Sequence, residues 1–559
     1  MKLFTAAKPR PEQGATLLLV IIIGGILAII TASMLNISSG TLSNAYGRVD
    51  WNKAFYCAEN ATVWAAQKCF DALPASGSSV TYSTALGTLP LTSIISATNS
   101  DPGFSGVWVK VEQRTNTPAN VLVITSSARV NNKIRTIQSQ VTIRPVSQVF
   151  DYEYFLNNWG WWWGNTITGN GAQRSNGDFD FKYNPVVNGA IYAAGEVDDN
   201  GTPIQNFATP PFVGLAGSDT TNYVHQGAER VVMPNLLNFS NYIATAMANT
   251  ASNGLWLGTT QMVVGVRTNA SQPGIYLVGT DATPILIKGT VVVEGDVIIK
   301  GKITGQGTLY VGGNLYVAND LTYGNSADYS TPPETQAAVS RDSWVLANQT
   351  KDLVAYAVRG SVLAGDVTDP DWVYYCRDYP TSGLAAVGDE SQIGRDGIAG
   401  THDDGIAYTH VNGAGDIVTD SSYDADGDGV IRGNYDYSTE VNMDVTRAAK
   451  ISGYPKDASN DPLAFNQVAT DDMGNLDGVF YTNHAAAMRL RNSTVTFHGT
   501  IISRNEQIIF QNVLNFIYDS RVHSRYANNP NTVINLGLPW GRPLAVNSFN
   551  ELVPDPTDL

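Results

Sequence analysis

The chain has little charge, and what charge it has is mostly acidic. Charged residues make up 15% of its 559 residues, and 34 Lys and Arg against 50 Asp and Glu leave a net charge of -16. Such a chain repels phosphate backbones, so we expect no nucleic-acid partner. The GxSxG, HExxH and Walker motifs are absent from the sequence, and we therefore expect a protein that is not an enzyme.

Cysteine is scarce, with three residues at Cys57, Cys69 and Cys376. If Cys57 and Cys69 share one helix, they lie about 18 Å apart, beyond the reach of a disulfide. Either Cys376 pairs with one of them, or the three are buried thiols. The 52 glycines and the low charge favour an exported, β-rich protein.

Only one long apolar run is present, in residues 14–35, and it contains no charged residue. As a helix, residues 15–35 would cover roughly 30 Å, the thickness of a bilayer core. Lys2, Lys8 and Arg10 precede it, which favours a cytoplasmic leader and export of the remainder. A removed signal peptide is the alternative, although the run is longer than usual for one and lacks a clear cleavage site.

The helix is expected to continue to about residue 70. Its alanines at 54, 58, 61 and 65, followed by Cys69, recur at three- and four-residue spacing. Such a stripe of small side chains allows close approach, so this face should lie against a sheet or another helix.

The basic leader, Glu12-Gln13-Gly14, the apolar helix and then AFYCAENATVWAAQ together resemble type IV prepilins of the PilX-like minor pilin group. The resemblance implies that a prepilin peptidase cuts after Gly14 and leaves Ala15 as the first mature residue. It also implies that the helix sits in the inner membrane and then packs with other pilins and the assembly machinery at the cell surface. Leu19 occupies the fifth mature position, where pilins usually have glutamate, which resembles the K-type pseudopilins of filament tips.

After the helix, the sequence predicts a β meander. Residues 107–113, 121–130 and 133–143 alternate apolar and polar side chains, with a turn between the last two. This would be a small antiparallel sheet on which the first helix packs.

A six-residue repeat runs through residues 289–324, with glycine at 289, 295, 301, 307 and 313. Three units of six would make one triangular coil of a parallel β-helix. Val291 would then stack on Leu309, Val297 on Leu315, and Ile299 on Val317, with glycines at the corners. The repeat resembles bactofilins and other polymer-forming proteins. The expected fold is mainly β: an N-terminal transmembrane, pilin-like helix with a small antiparallel sheet, then a parallel β-helix with large insertions.

The expected organisation is a leader (1–14), a transmembrane helix (15–35), and the pilin-like helix with its meander (36–150). Next come the first β-helix rungs with the tryptophan-rich segment (151–200), an insertion (201–270) and the repeat region (271–324). A second insertion (325–485) precedes final rungs and a C-terminal cap (486–559).

Four tryptophans lie close together at Trp159, Trp161, Trp162 and Trp163. Flat aromatic faces can bind sugars, so the segment is a possible platform for a surface glycan. The alternative is an apolar plug at the end of the β structure.

An acidic stretch in the second insertion matches the first half of an EF-hand calcium loop. The expected ligands are Asp424, Asp426, Asp428, the Val430 carbonyl and Asp436, with Tyr435 at the place of the usual bidentate Glu. A solvated acidic loop is the alternative. We interpret His484 and His498 as structural, hydrogen-bonded residues.

These features favour a minor-pilin-like structural component of a type IV pilus or related secretion filament, acting in assembly, tip display or adhesion. The alternative is a bitopic cell-envelope protein whose β-helix binds or cleaves polysaccharide.

Overall fold

The computed structural model describes residues 12–72, 104–112, 121–143, 147–157, 160–199, 202–218, 220–234, 236, 239–248, 250–251, 253–378, 409–411, 417–419, 441–504, 506–510, 513–527, 534, 536–539 and 544–552. The α-helices are α1 Glu12–Ala72, α2 Leu215–Ser218, α3 Thr220–Tyr223, α4 Ser240–Ala248, α5 Ala338–Ala347, α6 Pro370–Trp372, α7 Val445–Ala449 and α8 Ser524–Ala527.

Strands account for most of the remaining regular structure. In chain order they are β1 Phe104–Glu112, β2 Val121–Val130, β3 Lys133–Ile143, β4 Tyr154–Leu156, β5 Gly160–Trp163, β6 Ile167–Asn170, β7 Gln173–Ser175, β8 Phe179–Lys182, β9 Val186–Val187, β10 Ile191–Ala193, β11 Val197–Asp199, β12 Thr202–Pro203, β13 Val224–His225, β14 Gly254–Leu257, β15 Thr260–Val264, β16 Val266–Arg267, β17 Gly274–Gly279, β18 Ile285–Val293, β19 Val297–Val311, β20 Leu315–Tyr323, β21 Leu353–Val358, β22 Val362–Ala364, β23 Thr409–Val411, β24 Ile417–Thr419, β25 Ile451–Ser452, β26 Asn475–Thr482, β27 Ala485–Arg489, β28 Val495–Ser503, β29 Glu506–Phe510, β30 Leu514–Ile517 and β31 Leu544–Leu552. The chain is thus mainly β, with one long apolar helix at its N-terminal end.

The predicted meander is confirmed as a small antiparallel sheet of β1, β2 and β3. Its fourth strand comes from the far end of the chain, because β31 pairs antiparallel with β3. Residues 544–552 therefore complete this sheet, whereas the sequence had placed them in a C-terminal cap.

A second sheet of 21 strands is mainly parallel and contains the six-residue repeat. Its β18 and β19 pair so that Val291 lies opposite Leu309, 18 residues later. The next pairing places Val297 opposite Leu315 and Ile299 opposite Val317. All three predicted pairs are confirmed, and these six side chains are buried in one core.

Glycine has two different roles in the repeat. At Gly301 the backbone has φ 91°, which glycine adopts at little cost. At Gly307 the constraint is space instead, since an added Cβ would lie 2.4 Å from the carbonyl oxygen of Gly289 on the neighbouring strand. Gly301 therefore has the positive φ expected of a corner glycine, although it lies within β19 and an added Cβ there would also clash with the carbonyl oxygen of Gly279, while Gly307 is required by close strand contact alone.

The order of the strands in the large sheet differs from their order in the chain. Strand β4 pairs with β28 on one side and β7 on the other, and β30 pairs with both β28 and β6. Strands from the beginning of the large sheet, such as β4 and β6, therefore pair with strands from its end, β28 and β30. The regions expected to be insertions also contribute strands, since β21 pairs with β19 and β14 with β18.

Two further cores cover the outer side of the large sheet. In one, Tyr310 points outward and stacks on Tyr242 of α4, with ring centroids 4.1 Å apart. In the other, Tyr316 packs against Phe465 and lies in a cluster that includes Trp372. Segments outside the repeat therefore bury much of its outer surface.

Candidate functional site

The N-terminal part of α1 is apolar and exposed. Leu19 is 56% exposed and Ile29 69% exposed, and the helix is long and apolar enough to cross a membrane. The small sheet approaches it from Gly47, where an added Cβ would lie 3.7 Å from Lys133 Cε, and Asp50 Oδ2 accepts a hydrogen bond from Asn131 Nδ2 at 2.9 Å. This arrangement is compatible with membrane anchoring through residues 15–35.

The next part of α1 lies on the small sheet through the predicted stripe. Its four alanines are fully buried, and Ala58 and Ala61 pack with residues of β1, β2 and β3. The Ser126 hydroxyl donates to the Ala58 carbonyl oxygen at 2.7 Å, a distance that only small side chains at the interface permit. The predicted contact between the stripe and a sheet is confirmed for the alanines, while the Cys69 side chain lies outside the described residues.

The two residues expected at the processing site, Gly14 and Ala15, both lie within α1. The structure describes the backbone of this segment and not its side chains. Cleavage after Gly14 stays a prediction.

The tryptophan side chains of β5 do not all lie on the same side of the strand. Trp162 is 3% exposed and stacks on Phe516 with centroids 5.7 Å apart, so it belongs to the core and not to a surface platform. Trp161 and Trp163 lie on the opposite side of β5, with ring centroids 5.6 Å apart. Trp159 lies outside the described residues. The rings of Trp161, Trp162 and Trp163 therefore do not make one flat surface, because alternate residues of a strand point in opposite directions.

The outward pair of tryptophans lies beside two charges. Trp163 Nε1 donates to Asp180 Oδ2 at 2.8 Å, and Lys182 Nζ lies 4.9 Å from the centre of the same ring. A surface contact with a glycan at Trp161 and Trp163 stays a prediction.

The proposed calcium ligands Asp424, Asp426, Asp428, Val430 and Asp436 all lie outside the described residues. Within the described part of the chain, no group of three or more His, Cys, Asp or Glu could hold a metal ion. The calcium site is therefore an untested prediction.

Both histidines singled out in the sequence are hydrogen-bonded, as predicted. His484 is 3% exposed, and its Nδ1 lies 3.1 Å from Ser361 Oγ. His498 Nδ1 lies 2.7 Å from Asp477 Oδ1, and its ring stacks on Tyr329 at 4.2 Å.

The sequence did not reveal a fully buried ion pair. Asp519 and Arg521 are 2.5 Å apart, and neither side chain is exposed to solvent. Burial alone would raise the pKa of Asp519, but the charge and hydrogen bonds of Arg521 outweigh burial and lower it. Arg521 also donates to the carbonyl oxygens of Asn348 and Asp352, so the pair joins the second predicted insertion to the C-terminal strands.

A second buried ionisable side chain, Glu153, lies where the first strands meet the last. It accepts hydrogen bonds from Gln173 Nε2 at 2.6 Å and from the Asn170 amide at 3.2 Å. Burial raises the pKa of Glu153 to about 8, although these hydrogen bonds act to lower it. No sequence signal distinguishes this glutamate from surface ones, because its burial depends on the order in which distant strands stack.

Cys57 is half-buried and Cys376 is buried, and no disulfide joins them. Cys376 is a free, buried thiol in the structure, so the expected alternative of a buried thiol holds for this residue. Burial raises the pKa of the Cys376 thiol well above its usual value.

Comparisons with known proteins add little to these observations. No protein-family model matches the chain, and no curated protein sequence matches it. Among solved structures, the competence-associated pilin ComZ from Thermus thermophilus aligns with 9% sequence identity and a TM-score of 0.27, covering 81% of this chain and 84% of that one. A score this low carries no argument about common fold or function.

Proposed function

We propose that the chain is a pilin-like component of a type IV pilus or a related secretion filament. The observation that carries this proposal is that the two parts of α1 have different surroundings. Its N-terminal part is apolar and exposed around Leu19 and Ile29, while its later part packs through small side chains on an antiparallel sheet. A helix of this kind can anchor in the inner membrane and then pack with apolar helices of other subunits.

Within that function, we propose a minor subunit of the PilX-like type that acts in assembly, tip display or adhesion. Leu19 supports a terminal position, because the pairing carboxylate expected of shaft subunits is replaced by an uncharged side chain. The proposed partners are a prepilin peptidase acting after Gly14, other pilins and the assembly machinery. The proposed role is structural and does not include catalysis.

We further propose that the large sheet winds as a parallel β-helix and forms the exported head. The support is the recurring 18-residue register, in which Val291 pairs with Leu309 and Gln173 pairs with Ile191. Each coil of such a head contacts only its neighbours, so its length can grow by insertion without a new core.

Calcium binding by Asp424, Asp426 and Asp428 is part of the same proposal. Three carboxylates at alternate positions, followed by Gly429, suit a hard, oxygen-seeking cation. Calcium should raise the melting temperature of the full chain, and Asp426→Ala together with Asp428→Ala should remove the effect. Identical melting curves in calcium and in chelator would exclude the site.

Filament fractionation tests the proposed function. Filaments sheared from cells should contain the chain, and Gly14→Val should leave it in the membrane because the expected cleavage is blocked. Gly24→Ala is the matched control, since an added Cβ at Gly24 meets nothing within 4 Å and the change lies in the same helix. Equal amounts of Gly14→Val and unchanged chain in the sheared fraction would contradict a processed pilin.

A further inference from the structure

A row of uncharged polar side chains crosses four neighbouring strands of the large sheet. Asn475 pairs with Thr496, Thr496 with Asn515, and Asn515 with Thr168. We call these four residues the polar row. Neighbouring parallel strands lie about 4.8 Å apart, so the row is roughly 14 Å long.

The side chains of the polar row point away from the core. The residues on either side of Thr496 in β28, Val495 and Phe497, are buried in the main core, and so are Leu514 and Phe516 on either side of Asn515. Strand alternation then directs Thr496 and Asn515 outward. Asn475 is exposed, and the other three members are partly exposed.

No hydrogen bond within the described part of the chain uses these side-chain groups. This distinguishes them from the next outward positions on β26 and β28, where Asp477 and His498 are bonded to each other. Tyr329 stacks on His498, so the second predicted insertion borders the row on that side. Two amides and two hydroxyls are thus left with donors and acceptors available to a ligand.

Charge restricts what this ligand can be. The row itself is neutral, and a carboxylate lies at its end, where Asp320 Oδ1 accepts from the amides of Gly474 and Asn475 at 2.6 and 3.1 Å. The whole chain has a net charge of -16. Polyanions are therefore repelled, whereas a neutral ligand that both donates and accepts hydrogen bonds is complementary.

We propose that the polar row binds a neutral polysaccharide that lies across the strands. A polysaccharide presents hydroxyl groups at every ring, and one ring is comparable in length with one strand spacing. Successive rings can therefore meet successive side chains of the row, with amides and hydroxyls each supplying both donors and acceptors. Weak contacts repeated along one ligand add affinity without a deep pocket.

Affinity electrophoresis of the full chain, in a detergent without a sugar headgroup, tests this proposal. The gels contain hydroxyethyl cellulose, dextran or galactomannan as neutral probes, and alginate as a polyanion. At least one neutral probe should retard the chain, and alginate should not. Thr496→Val, which removes a hydroxyl and keeps the shape, should weaken that retardation about three- to tenfold, the effect of losing one neutral hydrogen bond.

Thr260→Val is the matched control, because Thr260 is an exposed strand residue outside the row. It should bind like the unchanged chain. If Thr496→Val does not fold, Asn475→Ala replaces it, since Asn475 is exposed at the end of the row.

Three results would overturn the proposal: no retardation by any neutral probe, equal retardation by alginate, or equal behaviour of the row variant and Thr260→Val. Binding at the polar row requires neither cleavage at Gly14 nor entry into a filament. The glycan proposal and the filament proposal can therefore fail separately.

Discussion

Enlarging Ala58 should separate α1 from the small sheet. Ala58 is fully buried, and its carbonyl oxygen accepts from Ser126 at 2.7 Å, so Ala58→Leu places three added heavy atoms where the helix and β2 are in contact. Overpacking of this kind costs about 1–3 kcal/mol. The cost falls on the docked state alone, because the undocked helix can accommodate leucine without strain and with good helix propensity.

Hydrogen exchange read by mass spectrometry measures this separation. A loss of about 1–3 kcal/mol corresponds to a 5- to 150-fold rise in the undocked population, and amides in residues 47–66 should exchange faster by that factor. Val63→Leu is the matched control, since Val63 is in the same helix and is 62% exposed. Unchanged exchange in Ala58→Leu, or equal acceleration in both variants, would refute the docking of α1 through its small residues.

Three further changes test the large sheet. Leu309→Ala empties part of the main core and should lower the free energy of unfolding by about 2–5 kcal/mol. Leu346→Ala, at a side chain that is 52% exposed, should lower it far less. Comparable denaturation midpoints for the two variants would contradict the burial of Leu309 in the main core. Because the pKa of Glu153 is raised from 4.5 to about 8, its stabilising effect is present below pH 4.5 and is lost as pH rises toward 8, so the melting temperature should fall over this range. Glu153→Gln should make this fall smaller, and an unchanged dependence of melting temperature on pH would contradict the prediction. Arg521→Met leaves the buried carboxylate of Asp519 unpaired and should lower the free energy of unfolding by about 3–5 kcal/mol. Adding Asp519→Leu should restore much of this loss. No recovery of stability in the double variant would show that the pair does more than neutralise charge.

The sequence predicted those parts of the fold that depend on local periodicity. The meander at residues 121–143 and the pairing of Val291 with Leu309 both follow from alternation and from the six-residue step. The buried alanines of α1 were also predicted, because small residues at helical spacing indicate close packing whatever the partner is.

The order in which strands stack could not be predicted. Many strands of the large sheet share the same pattern of buried apolar residues, so nothing in the sequence distinguishes β4 from another strand as the partner of β28. The pairing of β31 with β3 joins residues about 400 positions apart, as shown by the ion pair between Arg135 and Glu551. Alternation alone is compatible with many such pairings.

The same limit applies to the candidate sites. Trp162 belongs to a run of aromatic residues in the sequence, yet strand direction places it in the core beside Phe516. Asn475, Thr496 and Asn515 carry no motif and lie about 20 residues apart on successively paired strands, and Thr168 joins their row only because β6 pairs with β30 from the far end of the chain. Sites that depend on register become visible once the pairings are known.

The mature N-terminal residue tests the central claim most directly. The chain should be expressed in a host with a type IV filament system, purified from membranes and from sheared filaments, and sequenced from its N-terminus by mass spectrometry. A processed pilin-like subunit begins at Ala15 and retains the apolar run in residues 15–35. A chain that begins at Met1 in the filament fraction, or one cleaved beyond residue 35, would contradict the account.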